Sequence, residues 1–167
     1  VKEDFLKAKF AGLACGIKNI GVGNGMPDFS DIKIFIRSEN EIEIQHGWTE
    51  MGQGVDTIAI QVLMQETGID PSLVKVTVQT NAGLPTGMTT SSRATVLVGN
   101  AIMDGAVKLK NDLKYKTLLQ LVGKVYHGSY KCDWTTKPSE TEINPVTHFA
   151  YGYATQLVIL DDNGNIE

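Results

Sequence analysis

The segment Gly47-Trp48-Thr49-Glu50-Met51-Gly52-Gln53-Gly54 is the first place where chemistry could sit. Glycines bracket a short polar stretch, and an apolar pattern starts at once at Val55, Ile58, Ala59, Val62 and Leu63. That spacing predicts the buried face of a helix. Gly52, Gln53 and Gly54 then stand at its N-terminus, where unpaired N–H groups and the positive dipole end favour an anion. Glycine lets a ligand approach the backbone, and the Gln53 amide can donate and accept. A plain glycine-rich turn entering a core helix explains the same residues equally well.

A second such stretch runs from Thr80 to Thr95. Residues 81–88 read as a loop, with two glycines and a proline. Four hydroxyl residues and a guanidinium follow: Thr89, Thr90, Ser91, Ser92 and Arg93. Behind them a helical pattern runs through Ala94, Leu97, Val98, Ala101, Ile102, Gly105, Leu109 and Leu113. One hydroxyl would serve as the helix cap. Four exceed that need, and Arg93 could fork onto a phosphate. The expectation is that both helix starts face one cleft, with Gln53 near Ser91 and Ser92. Gly99 and Gly105 inside the second helix cost stability relative to alanine, which suggests close packing there.

The elements that must position these segments are α and β in mixture. Residues 3–14 read as a helix and 16–24 as a strand. Gly21-Val22-Gly23-Asn24-Gly25 resembles a nucleotide loop, but Pro27 and a strand follow, so it is a turn or bulge. Residues 32–37 and 41–46 form a hairpin in which Ile34, Ile36, Ile42 and Ile44 alternate with polar neighbours. The first principal helix spans about 53–67, with Gly68 as its C-cap and Pro71 barring continuation. Val74, Val76 and Val78 give the 73–79 strand one buried face. The second principal helix spans about 92–122. Residues 124–134 are irregular or strand-like, 137–145 a polar loop, and Phe149 to Leu160 a strand. A turn at Asp161-Asp162-Asn163-Gly164 leads to Ile166, which would begin a return strand. The fold class is therefore α+β, a mixed or antiparallel sheet packed with two main helices.

Composition bounds the function. The 167 residues fit one domain or two small lobes. Hydrophobic content of 42% and charged content of 20% describe an ordinary globular chain. A net charge of −4 argues against non-specific binding to nucleic acid or a membrane surface. Cys15 and Cys132 have no metal-binding spacing, which favours a reducing, cytoplasmic setting over a disulfide scaffold. His46, His127 and His148 are scattered singly and read as surface or packing residues. A start at Val1 and a hairpin interrupted after its turn suggest an excised piece of a longer polypeptide.

Taken together, Glu50-Met51-Gly52-Gln53-Gly54, Thr80-Asn81, Ser91-Ser92-Arg93 with Gly99-Asn100-Ala101, Asn144-Pro145 and Phe149-Ala150-Tyr151-Gly152-Tyr153-Ala154 resemble the molybdenum hydroxylases, the xanthine dehydrogenase and aldehyde oxidase family. The match covers nearly the whole chain in order. It implies that residues 1–167 are a fragment of the second, C-terminal lobe of the molybdopterin-binding domain, incomplete at its C-terminus. It implies molybdopterin, plain or as its cytosine dinucleotide, held by Met51, Gly52, Gln53 and Gly54 on one side. Thr90, Ser91, Ser92, Arg93 and Ala94 line the other. Ser91 matches the position nearest the metal, where many relatives carry alanine or glycine.

The implied reaction is hydroxylation of an N-heterocycle or an aldehyde, with oxygen from water and a glutamate as general base. That glutamate is expected beyond Glu167, so no catalytic residue and no protein metal ligand is assigned here. Glu50 belongs to the cofactor turn and is no substitute for that base; an exposed or capping carboxylate is its plain reading. Implied partners are the first lobe, iron–sulfur and FAD domains or subunits, a small-molecule substrate and further copies in an oligomer. The competing class is a non-catalytic small-ligand or interaction module, which predicts no converging anion site.

Overall fold

A computed structural model describes residues 2–81, 83–148 and 150–166. The chain divides into two compact units: residues 1–20 with 150–167, and residues 21–149.

In the first unit, helix α1 (Lys2–Lys7) precedes a long strand β1 (Phe10–Ile20). β1 pairs antiparallel with the last strand, Ala150–Leu160, in an unbroken register from Phe10↔Leu160 to Ile20↔Ala150. The helix expected over 3–14 therefore ends at Lys7. Phe10, Ala11 and Leu13 satisfy a helical spacing, but Gly12 weakens a helix there. The pairing that decides the matter joins the two ends of the chain, beyond the reach of local periodicity. The strand expected over 16–24 stops at Ile20, because Gly21 turns the chain with φ 103°. Ile166 does return, bridging to Leu160. Phe149 and Glu167 lie outside the described residues.

The second unit holds a four-stranded sheet. Strands β2 (Asp28–Ser38) and β3 (Glu41–His46) form the expected hairpin. Helix α2 (Val55–Thr67) connects β3 to β4 (Val74–Val78), which runs parallel to β3. Helix α3 (Ala94–Leu113), a short α4 (Leu118–Leu121) and strand β5 (Val125–Cys132) follow, and β5 pairs antiparallel with β2. The order is β4-β3-β2-β5, a mixed sheet. The final strand of the chain is β6 (Ala150–Leu160).

Ile32, Ile34, Ile36, Ile42 and Ile44 are fully buried, together with Leu63 of α2 and Leu97, Ile102 and Leu109 of α3. The alternation in β2 sends even-numbered residues inward, so its first two inward positions are polar: Asp28 and Ser30. β4 is an edge strand. Val74 is buried, Val76 half-buried and Val78 40% exposed, so the expected buried face fades along it. Gly68 ends α2 in the left-handed region, its N–H bonded to the Met64 carbonyl at 2.8 Å, as expected of a glycine C-cap. The second principal helix ends at Leu113, not near 122. Thr117 then forms a capping box with Gln120 and starts the separate turn α4.

Gly105 packs as its type suggested: a β-carbon there would lie 3.1 Å from Ile34 Cδ1 and 3.2 Å from Ile32 Cδ1. Gly99 does not, since its nearest neighbour would be Val62 Cγ2 at 3.8 Å. A closer approach to α3 lies opposite Gly105. At Gly128 of β5 a β-carbon would stand 2.0 Å from the Ala101 carbonyl oxygen. Nothing in the local sequence singles out Gly128.

Candidate cofactor cleft

The two helix starts meet. A cleft of about 310 Å³ is lined by Met51 and Gln53 from the α2 turn, and by Thr89, Thr90, Ser92, Arg93, Ala94 and Thr95 from the α3 start. Ser91 is not among the lining residues, so Gln53 shares the cleft with Ser92 alone of the two serines. The walls are tied directly: the Thr49 N–H donates to Thr89 Oγ1 at 3.1 Å.

The α2 wall is a closed loop of hydrogen bonds. Gly52 and Gly54 take φ of 96° and 81°. Glu50 Oε1 accepts from the N–H groups of Gly52 (2.7 Å) and Gly54 (3.0 Å), and Oε2 from Asp56 N–H (3.2 Å). The anion at this helix terminus is thus supplied by the chain itself, which corrects the expectation of unpaired amides there. These N–H groups, Gly54 first, hold the Glu50 carboxyl below the usual carboxylate range. Gln53 spans the same turn: its Nε2 donates to the Thr49 carbonyl at 2.8 Å, and its Oε1 accepts from Met51 N–H at 2.6 Å.

His46 sits beneath, fully buried. Its Nδ1 accepts from Trp48 N–H at 3.2 Å, which assigns the proton to Nε2, 3.1 Å from Asp56 Oδ1. Burial pushes its pKa down despite the attraction of Asp56. It is a packing residue, as expected.

A pH test follows from Glu50. Because its pKa is lowered on folding, its contribution to stability is present above the unfolded value and is lost as pH falls through the folded one. Glu50→Gln is expected to lower Tm at neutral pH. The difference from the parent should shrink once pH drops below the ordinary glutamate value of 4.5, as the parent carboxylate protonates as well. Thermal melts of both proteins across that range check it, and a pH-independent difference would refute the capping role.

The α3 wall departs from expectation in a useful way. Arg93 is the N-cap residue and makes no side-chain cap bond. Ser91 and Ser92 instead lie consecutively in the left-handed region, with φ of 57° and 52°. Such conformations are uncommon outside glycine and asparagine. Thr89 is spent on Thr49. Among the described residues, the hydroxyls of Thr90, Ser91 and Ser92 have no hydrogen-bond partner, and α3 begins uncapped. Arg93 is 5% exposed and ion-paired to Asp28, so its guanidinium is not presented as a phosphate fork. Trp48, inside the same segment, was given no role of its own by the sequence: it is fully buried and donates from Nε1 to Ser30 Oγ at 3.0 Å. A tryptophan inside an otherwise polar glycine turn is the signal that marks it.

The donor set fits a polar, phosphorylated cofactor. The unpartnered hydroxyls of Thr90 and Ser92, with the first-turn N–H groups of α3, suit phosphate and ring heteroatoms. Arg93, the cation lining the cleft, is already paired, so these neutral donors would carry that contact. No group of three His, Cys, Asp or Glu able to hold a metal ion occurs among the described residues, and no helix among them is long and apolar enough to cross a membrane.

Comparisons with known proteins agree. Residues 3–123 match the family described as the molybdopterin cofactor-binding domain. Over 92 residues the chain is 30% identical to a probable xanthine dehydrogenase component from Bacillus subtilis (strain 168), covering 54% of this chain and 12% of that protein. The aldehyde oxidoreductase of Desulfovibrio gigas shares the fold with a TM-score of 0.68 at 20% identity, over 96% of this chain and 20% of the other. Quinoline 2-oxidoreductase from Pseudomonas putida 86 gives 0.61 at 13% identity, over 99% and 27%. The chain thus spans a small part of each relative's length. With the family matched over most of its residues and the fold shared along nearly all of them, this chain belongs to the molybdopterin cofactor-binding domain family.

Proposed function

We propose that this chain is the cofactor-binding part of a molybdenum hydroxylase of the xanthine dehydrogenase type, which hydroxylates an N-heterocycle or an aldehyde with oxygen from water. The observation that carries the reading is the cleft itself, where the Gly-Gln-Gly turn and the hydroxyl run meet. The names of the relatives, a xanthine dehydrogenase, an aldehyde oxidoreductase and a quinoline oxidoreductase, support the substrate class.

Met51 and Gln53 would hold molybdopterin, plain or as its cytosine dinucleotide, from the α2 side, with Gly52 and Gly54, their N–H groups on Glu50, shaping the turn that presents them. Thr90, Ser92 and Ala94 would hold it from the α3 side, with Arg93 beneath them and Ser91 shaping the loop behind them. When bound, the cofactor supplies the redox centre that takes electrons from the substrate. The chain's own part is to bind, orient and exclude water. In this reading the general base, the first lobe, and iron–sulfur and FAD domains or subunits come from other parts of an oligomeric, cytoplasmic enzyme.

Molybdenum and pterin analysis of the whole protein tests this. Both should be present, and Thr90→Ala with Ser92→Ala should lower both together. A whole protein with neither would sink the reading. Expressed alone, residues 1–167 are expected to carry no molybdenum and to turn over no substrate, because one wall cannot bury a large cofactor. Measurable turnover of a purine or an aldehyde by that piece would refute the division of labour.

A further inference from the structure

We propose that Arg93 is a positioning residue: its buried guanidinium, anchored on Asp28, fixes the Met88–Ser92 loop in the shape that brings the hydroxyl run to the cleft. The proposal rests on the cofactor reading above.

Arg93 and Asp28 are 5% and 3% exposed and form an ion pair through Nη1 and Oδ1. Nη2 donates to the Met88 carbonyl, on the loop itself. The guanidinium carbon lies 5.1 Å from the centre of the Trp48 ring. Gly87 leaves the room: a β-carbon there would stand 2.3 Å from Nη2. Asp28 and Ser30 are the polar inward positions of β2, so the anchor is built on the sheet, not on another loop.

The loop needs an anchor. Two consecutive left-handed serines persist only where the surroundings over-determine them. Here the Ser91 carbonyl accepts from Gly21 N–H at 3.0 Å on one side, and Arg93 holds Met88 on the other. The ion pair is a poor stabiliser in its own right. Among the described residues Arg93 Nε and Asp28 Oδ2 are buried without a hydrogen-bond partner. Apolar residues of similar volume often replace such a pair at no loss of stability. What they cannot replace is the fork that joins Asp28 and Met88 through one planar group. Arg93 therefore sets conformation where the sequence alone suggested ligand contact.

The test uses the whole protein, with and without cofactor. Asp28→Leu combined with Arg93→Met removes the pair and leaves no lone buried charge. Its Tm should stay near the parent's. Amide exchange at residues 88–92 in the cofactor-free protein should rise about tenfold or more, while residues 101–109 of α3 stay protected. Molybdenum and pterin content should fall roughly tenfold, the scale of one charge-assisted hydrogen bond. If the double variant does not fold, Arg93→Lys carries the test. Lysine keeps the charge beside Asp28 but cannot fork, so exchange at 88–92 should rise with Tm retained. A loop that stays protected in either folded variant overturns the proposal. A loosened loop with unchanged metal and pterin content overturns the cleft as cofactor site, and with it the purpose assigned to Arg93.

Discussion

Gly128→Ala is expected to cost about 4 kcal/mol or more, the range reserved for changes that the core cannot absorb. The new β-carbon would stand 2.0 Å from the Ala101 carbonyl oxygen and 2.8 Å from the Gly105 N–H nitrogen. Both are backbone atoms inside α3, so neither can rotate away as a side chain would. The remaining response is to lift α3 off β5, and α3 carries Leu97, Ile102 and Leu109 of the core and the hydroxyl run at its start. In a domain of this size the loss corresponds to a fall in Tm of roughly 8–16 °C. Much of a stability of about 5–15 kcal/mol would go with it. Gly105→Ala should be milder, because it meets the Cδ1 ends of Ile32 and Ile34, which can shift. Gly99→Ala should stabilise by about 0.5–1 kcal/mol, since nothing comes nearer than 3.8 Å and alanine is the better helix residue. Melting the three variants checks the order, and a Gly128→Ala protein as stable as the parent would mean that α3 and β5 are not this close.

These glycines show what the sequence could and could not carry. Helix periodicity after Gly54 and after Arg93 marks α2 and α3 because it is local. So does the isoleucine alternation in β2 and β3. Gly128 lies in a plain stretch of strand, and its reason is a helix backbone more than twenty residues earlier. β1 was hidden in the same way, since its partner is at the far end of the chain. At the cleft, residue types told where polar groups gather but not which of them are already spent. Glu50 and Arg93 are the charged residues of the two motifs, and both turn inward: one onto the amides of α2, the other onto Asp28. The uncharged hydroxyls remain. A charged side chain near a buried turn is more often retained when paired, and its partner, Asp28 for Arg93, is 65 residues away.

The same spending matters for Gln53. Gln53→Ala in the whole protein is expected to lower cofactor occupancy by about one to two decades in affinity, while Tm barely moves. The side chain is exposed, so its loss opens no core cavity. Its two hydrogen bonds within the turn, to the Thr49 carbonyl and from Met51 N–H, are solvent-facing and together are worth little net stability. They do fix the amide in place. An amide has two N–H donors and two oxygen lone pairs, so one of each remains for a ligand. Truncation removes that fixed donor and acceptor and frees the Met51 N–H on the wall of the cleft, leaving polar cofactor atoms unpaired. Gln65→Ala is the matched control: it is exposed on the same helix and lies away from the cleft. Molybdenum, pterin, activity and Tm should be measured for both. A drop confined to Gln53→Ala, with both melting curves near the parent's, supports the site. Equal metal and pterin content in the two variants would reduce Gln53 to a brace for its own turn.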